Sequence, residues 1–136
     1  MKNFIGEMLK NYKDSIYFVF RVLIGLLFMQ HGAQKLFGVL GASGTVQLFS
    51  LFGLAGVIEF FGGLAIVLGL LTRLAALGGL FTMVFAYFMV HLPNGWIPIV
   101  NGGELASLFF SALLLIVAYG AGKWSLDRAI FGHELF

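Results

Sequence analysis

Four long apolar runs, at about residues 16–37, 48–71, 74–92 and 105–121, alternate with short segments where polar residues, glycine and proline collect. Each run approaches the ~20 residues that a helix needs to cross the hydrocarbon core of a bilayer. The pattern predicts an all-α chain, a transmembrane four-helix bundle. Ahead of the first run, Phe4, Ile5, Met8, Leu9 and Tyr12 stand at helical spacing against Lys2, Glu7, Lys10, Lys13 and Asp14. That is the arrangement of a helix lying in the headgroup layer. Beyond the last run, WSLDRAIF (residues 124–131) predicts a second interfacial helix, with Ser125 as its N-cap and Leu126, Ala129 and Ile130 on its apolar side. The bundle is thus expected to carry short interfacial helices at both termini.

The connections refine the spans. Residues 38–44 are rich in glycine and break the first helix. Thr45 is a candidate cap for a short helix through Ser50, which moves the start of the second span to about residue 53. The expected spans are then 16–37, 53–71, 74–92 and 105–121. A minimal turn at Thr72 and Arg73 demands that the second and third spans form an antiparallel hairpin. Residues 93–103 contain both prolines and cannot be helical throughout. Trp96, in the same loop, is placed for the membrane interface.

The second span reads GLAGVIEFFGGLAIVLGLL, with Gly53, Gly56, Gly62, Gly63 and Gly69. In water each such glycine costs a helix about 1 kcal/mol relative to alanine. In lipid, small residues let helix backbones approach, and close packing drives association there. The Gly56/Gly63 side is therefore expected to face other helices, and Ala75, Ala76, Gly78 and Gly79 form the small face of the third span.

Composition and charge sharpen this picture. Of 136 residues 60% are hydrophobic and 10% charged, with a mean hydropathy of +1.01. A soluble domain carries roughly 25% charged residues. The length suits one domain, residues 1–136, with no hydrophilic linker. If the chain crosses four times, both termini share a side. Lys2, Lys10, Lys13, Arg21, Arg73, Lys123 and Arg128 fall on that side, and only Lys35 on the other. The positive-inside rule then puts both termini in the cytoplasm, in a multi-pass protein of the cell membrane. The basic residues are scattered at helix ends, which points to phospholipid headgroups as partners and away from nucleic acid. The N-terminal run is too long for a cleavable signal peptide and contains Arg21. No cysteine is present, which excludes disulfides and thiol redox chemistry.

Candidate chemistry rests on the few ionisable residues in or beside the spans: Arg21, His31, Lys35, Glu59, Arg73, His91 and Glu104. Each costs roughly 2.5–3.5 kcal/mol at a bilayer centre on insertion scales, so they are expected to face the bundle interior or the interfaces. In the four-span topology His31, Lys35, Glu59, His91 and Glu104 all fall in the outer half, delivered by four different helices. Such a cluster can relay protons or hydrogen-bond the carbonyl oxygens of a quinone; it can also be a structural network in which Glu59 pairs with His31 or Lys35. A metal site is not expected, because short ligand spacings such as H-x-x-x-H are missing. The depth of Arg21 suggests that it snorkels to phosphate, with an ion pair to Glu59 or Asp127 as the alternative. Arg73 reads as an interfacial charge and His133 as solvated.

At these residues the chain resembles the DoxX family. RVLIGLLFMQHGAQKLFG (residues 21–38) is similar to the family's arginine, glycine and His-Gly-x-x-Lys pattern. IEFFGGLAIVLGLLTRLAAL, His91, NGGELASL and GAGKWSLD follow in order over residues 58–127. The resemblance implies four transmembrane helices and an oxidoreductase subunit linked to quinones, thiosulfate oxidation or oxidative stress. It also implies that the family's recurring polar residues fall on Arg21, His31, Lys35, Glu59, Arg73, His91 and Glu104. The stretch between Gly38 and Gly53 is short for the family, which implies a reduced outer cap.

Two functions follow as expectations. One is a redox-associated subunit whose His31, Glu59, His91 and Glu104 exchange protons with a quinone, while electrons come from a partner subunit, because no haem, flavin or iron–sulfur motif is present. The other is a non-catalytic scaffold, or a small transporter whose cluster binds a solute or proton. Glycine-rich helices suit a homo-oligomer under either reading.

Overall fold

A computed structural model describes residues 3–136; Lys2, counted above among the cytoplasmic charges, lies outside them. The described residues form helices and connecting turns, with no strand among them. Helix α1 (Phe4–Leu9) is capped by the Asn3 side chain and joins α2 (Lys13–Phe37) through one 3-10 turn at Lys10–Tyr12. Helix α3 is Leu51–Leu68 and α4 is Thr72–Ala86, extended by a π-helical turn at Tyr87–His91 and a 3-10 turn at Leu92–Asn94. A short α5 (Pro98–Asn101) precedes α6 (Glu104–Tyr119), and α7 (Leu126–Phe131) closes the chain.

Three helical stretches, Phe4–Phe37, Leu51–Leu68 and Thr72–Asn94, are long and apolar enough to cross a membrane. The fourth, α6, has 16 residues, or about 24 Å at 1.5 Å per residue, against a hydrocarbon core of ~30 Å. The expected boundaries shift in three places. Residues 45–50 form no helix; Ser50 rather than Thr45 is the cap, its hydroxyl accepting from the Gly53 N–H at 3.1 Å, so α3 begins at Leu51. The hairpin turn is at residues 69–71, where Gly69 and Leu71 take left-handed conformations (φ 71° and 48°), and Thr72 and Arg73 already belong to α4. The third span ends in the π turn because Pro93 cannot continue an α-helix. The terminal helices lie where the pattern puts them: Phe4, Ile5 and Met8 of α1 are exposed, and Ser125 caps α7 by accepting from the Arg128 N–H at 3.4 Å.

Helices α2 and α3 pack antiparallel along a seam of glycines spaced by seven residues. A Cβ built on Gly25 would come within 2.9 Å of the Gly63 carbonyl, and one on Gly63 within 2.6 Å of the Met29 nitrogen. At the next contact a Cβ on Gly32 would strike the backbone of Phe60, and 2.7 Å separates it from the Gly56 carbonyl. Backbone therefore rests on backbone, the packing that small residues allow in lipid. Gly56 and Gly63 face another helix as expected; Gly25 and Gly32 are their partners on α2. Across the seam, Phe28, Ile66, Ala76, Leu80, Leu113 and Ile116 belong to the buried core that joins α2, α3, α4 and α6. Gly79 makes room for Phe28, whose ring atoms lie 3.1 Å from the position of a Cβ there.

Candidate functional site

The two ends of the bundle hold different polar clusters. One end carries α1, α7 and the 69–71 turn; the other carries the loops 38–50 and 95–103. At the loop end, a cavity of about 210 Å³ lies between the last turns of α2, the middle of α3, the π turn and the start of α6. His31, Lys35, Glu59 and His91 line it, with Phe28, Met83, Ala86, Leu105, Ala106 and Phe109 as apolar wall.

Glu59 is buried on α3, and both its carboxylate oxygens accept from Lys35 Nζ at 2.5 Å. Lys35 retains 28% of its side-chain exposure. It stands near the end of α2, where a cation meets the negative pole of the helix dipole. Of the two partners considered for Glu59, the structure thus selects Lys35. His31, one turn before Lys35, packs its ring edge against Phe109 with centroids 5.6 Å apart. It makes no hydrogen bond to protein among the described residues, so it is not the candidate that pairs directly with Glu59. His91 closes the π turn, and its Nδ1 lies 3.3 Å from the Asn101 carbonyl oxygen.

Glu104 does not join this group. It is exposed in the first turn of α6 and does not line the cavity. Ala106, two residues on, takes the inward position, and at 3.6 residues per turn Glu104 points about 200° away from it. Asn101, in contrast, carries weight that the loop's composition did not reveal. It is buried, its amide donates to the Gly95 carbonyl at 2.8 Å and to the Tyr87 hydroxyl at 3.3 Å, and its Oδ1 accepts from the Gly103 N–H at 2.7 Å. The two prolines and three glycines around it were the available signal of a constrained loop. Among the described residues, no three of His, Asp and Glu are gathered to share a metal ion.

The terminal end is built around Arg21. The snorkelling expected for it is wrong: it is 1% exposed, and its guanidinium donates to the carbonyls of Ala121, Trp124 (2.9 Å) and Val67 (3.4 Å). It also lies over the Phe18 ring, 5.3 Å from the centroid. Helix ends leave carbonyls unsatisfied, and those of α3 and of the segment after α6 lie within hydrogen-bonding reach of the guanidinium. Neither Glu59 nor Asp127 forms an ion pair with it. Asp127 is fully buried; its Oδ2 accepts from the Leu71 N–H at 3.1 Å, and its own N–H donates to the Gly69 carbonyl at 3.1 Å. Arg73 is half-buried rather than a free surface charge, donating from Nε to the Val117 carbonyl at 3.0 Å and lying 3.7 Å from Glu134. Tyr17 donates to the Gly120 carbonyl at 2.5 Å, and Glu134 accepts from the Ala121 N–H. Arg21, Tyr17, Arg73, Asp127 and Glu134 thus fasten the C-terminal segment across the bundle. Glu134 escaped the sequence reading, and Asp127 entered it only as an alternative ion-pair partner for Arg21, not as the buried acceptor at the start of α4.

Long apolar helices, a glycine seam and polar groups confined to the two bundle ends define an all-helical membrane protein. The chain belongs to the DoxX family, whose profile matches residues 16–92. It is similar to an uncharacterised protein of Haemophilus influenzae, 36% identical over 130 residues, with 90% of this chain and 96% of the relative covered. It is also similar to an uncharacterised membrane protein of Mycobacterium tuberculosis, 31% identical over 127 residues, with 81% and 78% covered. No solved structure matches it significantly.

Proposed function

We propose that the protein is a quinone-linked oxidoreductase subunit, crossing the cell membrane four times with both termini in the cytoplasm. In that orientation the loop-end cavity opens toward the outer leaflet. The observation that carries this reading is the convergence of His31, Lys35, Glu59 and His91 with Phe28, Met83 and Phe109 around one space. The set fits a quinone: ring faces need aromatic and thioether contact, and ring oxygens need hydrogen-bonding groups. A volume of about 210 Å³ is below the ~300–1,000 Å³ of drug-sized sites and suits a ring headgroup whose tail remains in the bilayer.

Lys35 and the two imidazoles supply the contacts, and His31, with no hydrogen-bond partner among the described residues, is the group free to pass a proton. Electrons come from a partner subunit, since the chain has no cysteine and carries no haem, flavin or iron–sulfur motif. The test is organic extraction and absorbance of the purified protein, followed by melting with added quinone. Bound quinone, or a rise in melting temperature that His31→Ala removes, supports the reading. A clean extract together with no shift overturns it.

A second reading has one observation in its favour. The two-oxygen contact of Glu59 with Lys35 is a neutralised pair, which suits a structural lock between α2 and α3 in a non-catalytic scaffold. In that case loss of the pair lowers stability and leaves every ligand response unchanged.

A further inference from the structure

The contact between His91 and Asn101 has a chemical consequence. A carbonyl oxygen can only accept, so the nitrogen 3.3 Å from it, His91 Nδ1, must carry a hydrogen. In the neutral imidazole the other nitrogen is then bare. The carbonyl cannot easily turn away. Asn101 is buried, and its side chain is tied to Gly95, Tyr87 and Gly103. Tyr87, one turn before His91 on the same π turn, is held in its own right by donating to the Trp96 carbonyl at 3.1 Å. Such π turns recur at functional sites; here one end of the turn supplies the anchor and the other end the imidazole.

His91 Nε2 has no protein partner among the described residues, and the ring lines the cavity. Across the cavity, Lys35 Nζ spends two of its three hydrogens on Glu59. The third remains for a ligand. The cavity therefore offers a fixed donor at Lys35 and a fixed acceptor at His91, with His31 able to serve as either.

We propose that His91 is a specificity-determining residue: held with its hydrogen on Nδ1 by the Asn101 carbonyl, it presents a bare Nε2 and selects a ligand that donates a hydroxyl hydrogen. Within the quinone reading, on which this inference rests, the favoured form is the hydroquinone. A quinone carbonyl set against Nε2 would place two acceptors face to face, whereas a hydroquinone hydroxyl donates to Nε2 and an oxygen at the other end of the ring accepts from Lys35.

Two measurements on the full-length protein in lipid nanodiscs test it. Nitrogen-15 NMR of labelled histidine reads the His91 tautomer directly, with His91→Phe used to assign the signal. A hydrogen on Nδ1 and a bare Nε2 are expected, and the reverse tautomer overturns the inference. Binding of a short-chain ubiquinol and of the matching ubiquinone is then compared under reducing and oxidising conditions; the chain has no cysteine to be altered by either. Wild type is expected to bind the quinol about tenfold more tightly, the scale of one neutral hydrogen bond, and His91→Phe to bind both forms alike. Equal affinities in wild type, or a preference for the quinone, overturn this inference and leave the quinone reading standing. Failure to bind either form overturns both.

Discussion

Glu59 occupies an apolar helix at a position where an isolated carboxylate would be costly, and Lys35 is what makes it tolerable. Removing one partner of a buried pair costs about 3–5 kcal/mol, because the other charge is left alone. The partial exposure of Lys35 lets solvent screen the pair and brings its loss to the bottom of that range or below it. Glu59→Gln is thus expected to lower stability by about 2–3 kcal/mol, and Lys35→Met to restore part of it in the double variant. Thermal melting of the four proteins reads the coupling; strictly additive losses would show that the pair does not hold α2 to α3. Arg21 poses a different test. Its planar fork reaches three carbonyls at once, and a lysine cannot. Arg21→Lys keeps the charge, yet it is expected to cost about 2 kcal/mol and to expose the chain beyond residue 121 to protease. Unchanged cleavage there would mean that the other contacts of the segment suffice.

Among the elements, the α2–α3 seam makes the sharpest demand on side-chain size. Gly32 and Gly63 have backbone atoms of the facing helix where a Cβ would stand, and backbone cannot swing aside as a flexible side chain can. Gly62 on α3 and Gly78 on α4 are also glycines inside hydrophobic helices, but a Cβ on them would meet nothing nearer than 3.6 Å and 3.5 Å respectively. Gly32→Ala and Gly63→Ala are therefore expected to abolish folding or reduce yield severely. Gly62→Ala and Gly78→Ala are expected to be neutral or slightly stabilising, since alanine favours helix by about 1 kcal/mol. Expression and melting of the four variants decide the matter; an equal response would show that composition, rather than the seam, is what counts. The seven-residue spacing of Gly25 with Gly32 and of Gly56 with Gly63 is visible in the sequence. Which pair meets which was not, because register is a property of two helices together.

For the whole molecule, the proposed orientation follows from the seven-to-one distribution of basic residues. Asn94 and His133 are both exposed, on opposite ends of the bundle. In this cysteine-free chain, single cysteines at the two positions report topology cleanly. Asn94→Cys is expected to react with an impermeant reagent added to intact cells, and His133→Cys only after lysis. Labelling of both from outside would overturn the four-span topology, and the reverse pattern would put the cavity on the other face of the membrane. The shortness of α6 bears on the same question: a helix of about 24 Å spans the core only with local thinning or with help from the turns at its ends.

The sequence by itself determined the medium, the helical class and the approximate spans, because these depend on composition and on runs of apolar residues that no neighbour needs to supply. It also marked His31, Lys35, Glu59 and His91 as a group, since charge in lipid is scarce enough to stand out. Tertiary structure alone decided the partners. Lys35, not His31, took Glu59, because helix register put its ammonium between the two carboxylate oxygens. Glu104 dropped out because rotation about α6 aims it away from the cavity. Arg21 turned inward because carbonyls at the ends of other segments lay within its reach. The Asn101 carbonyl, a backbone atom with no signature in any side chain, came to fix the hydrogen on His91. Depth along a helix can be counted from residue numbers, but rotation, register and the course of a loop come only from packing against the rest of the chain.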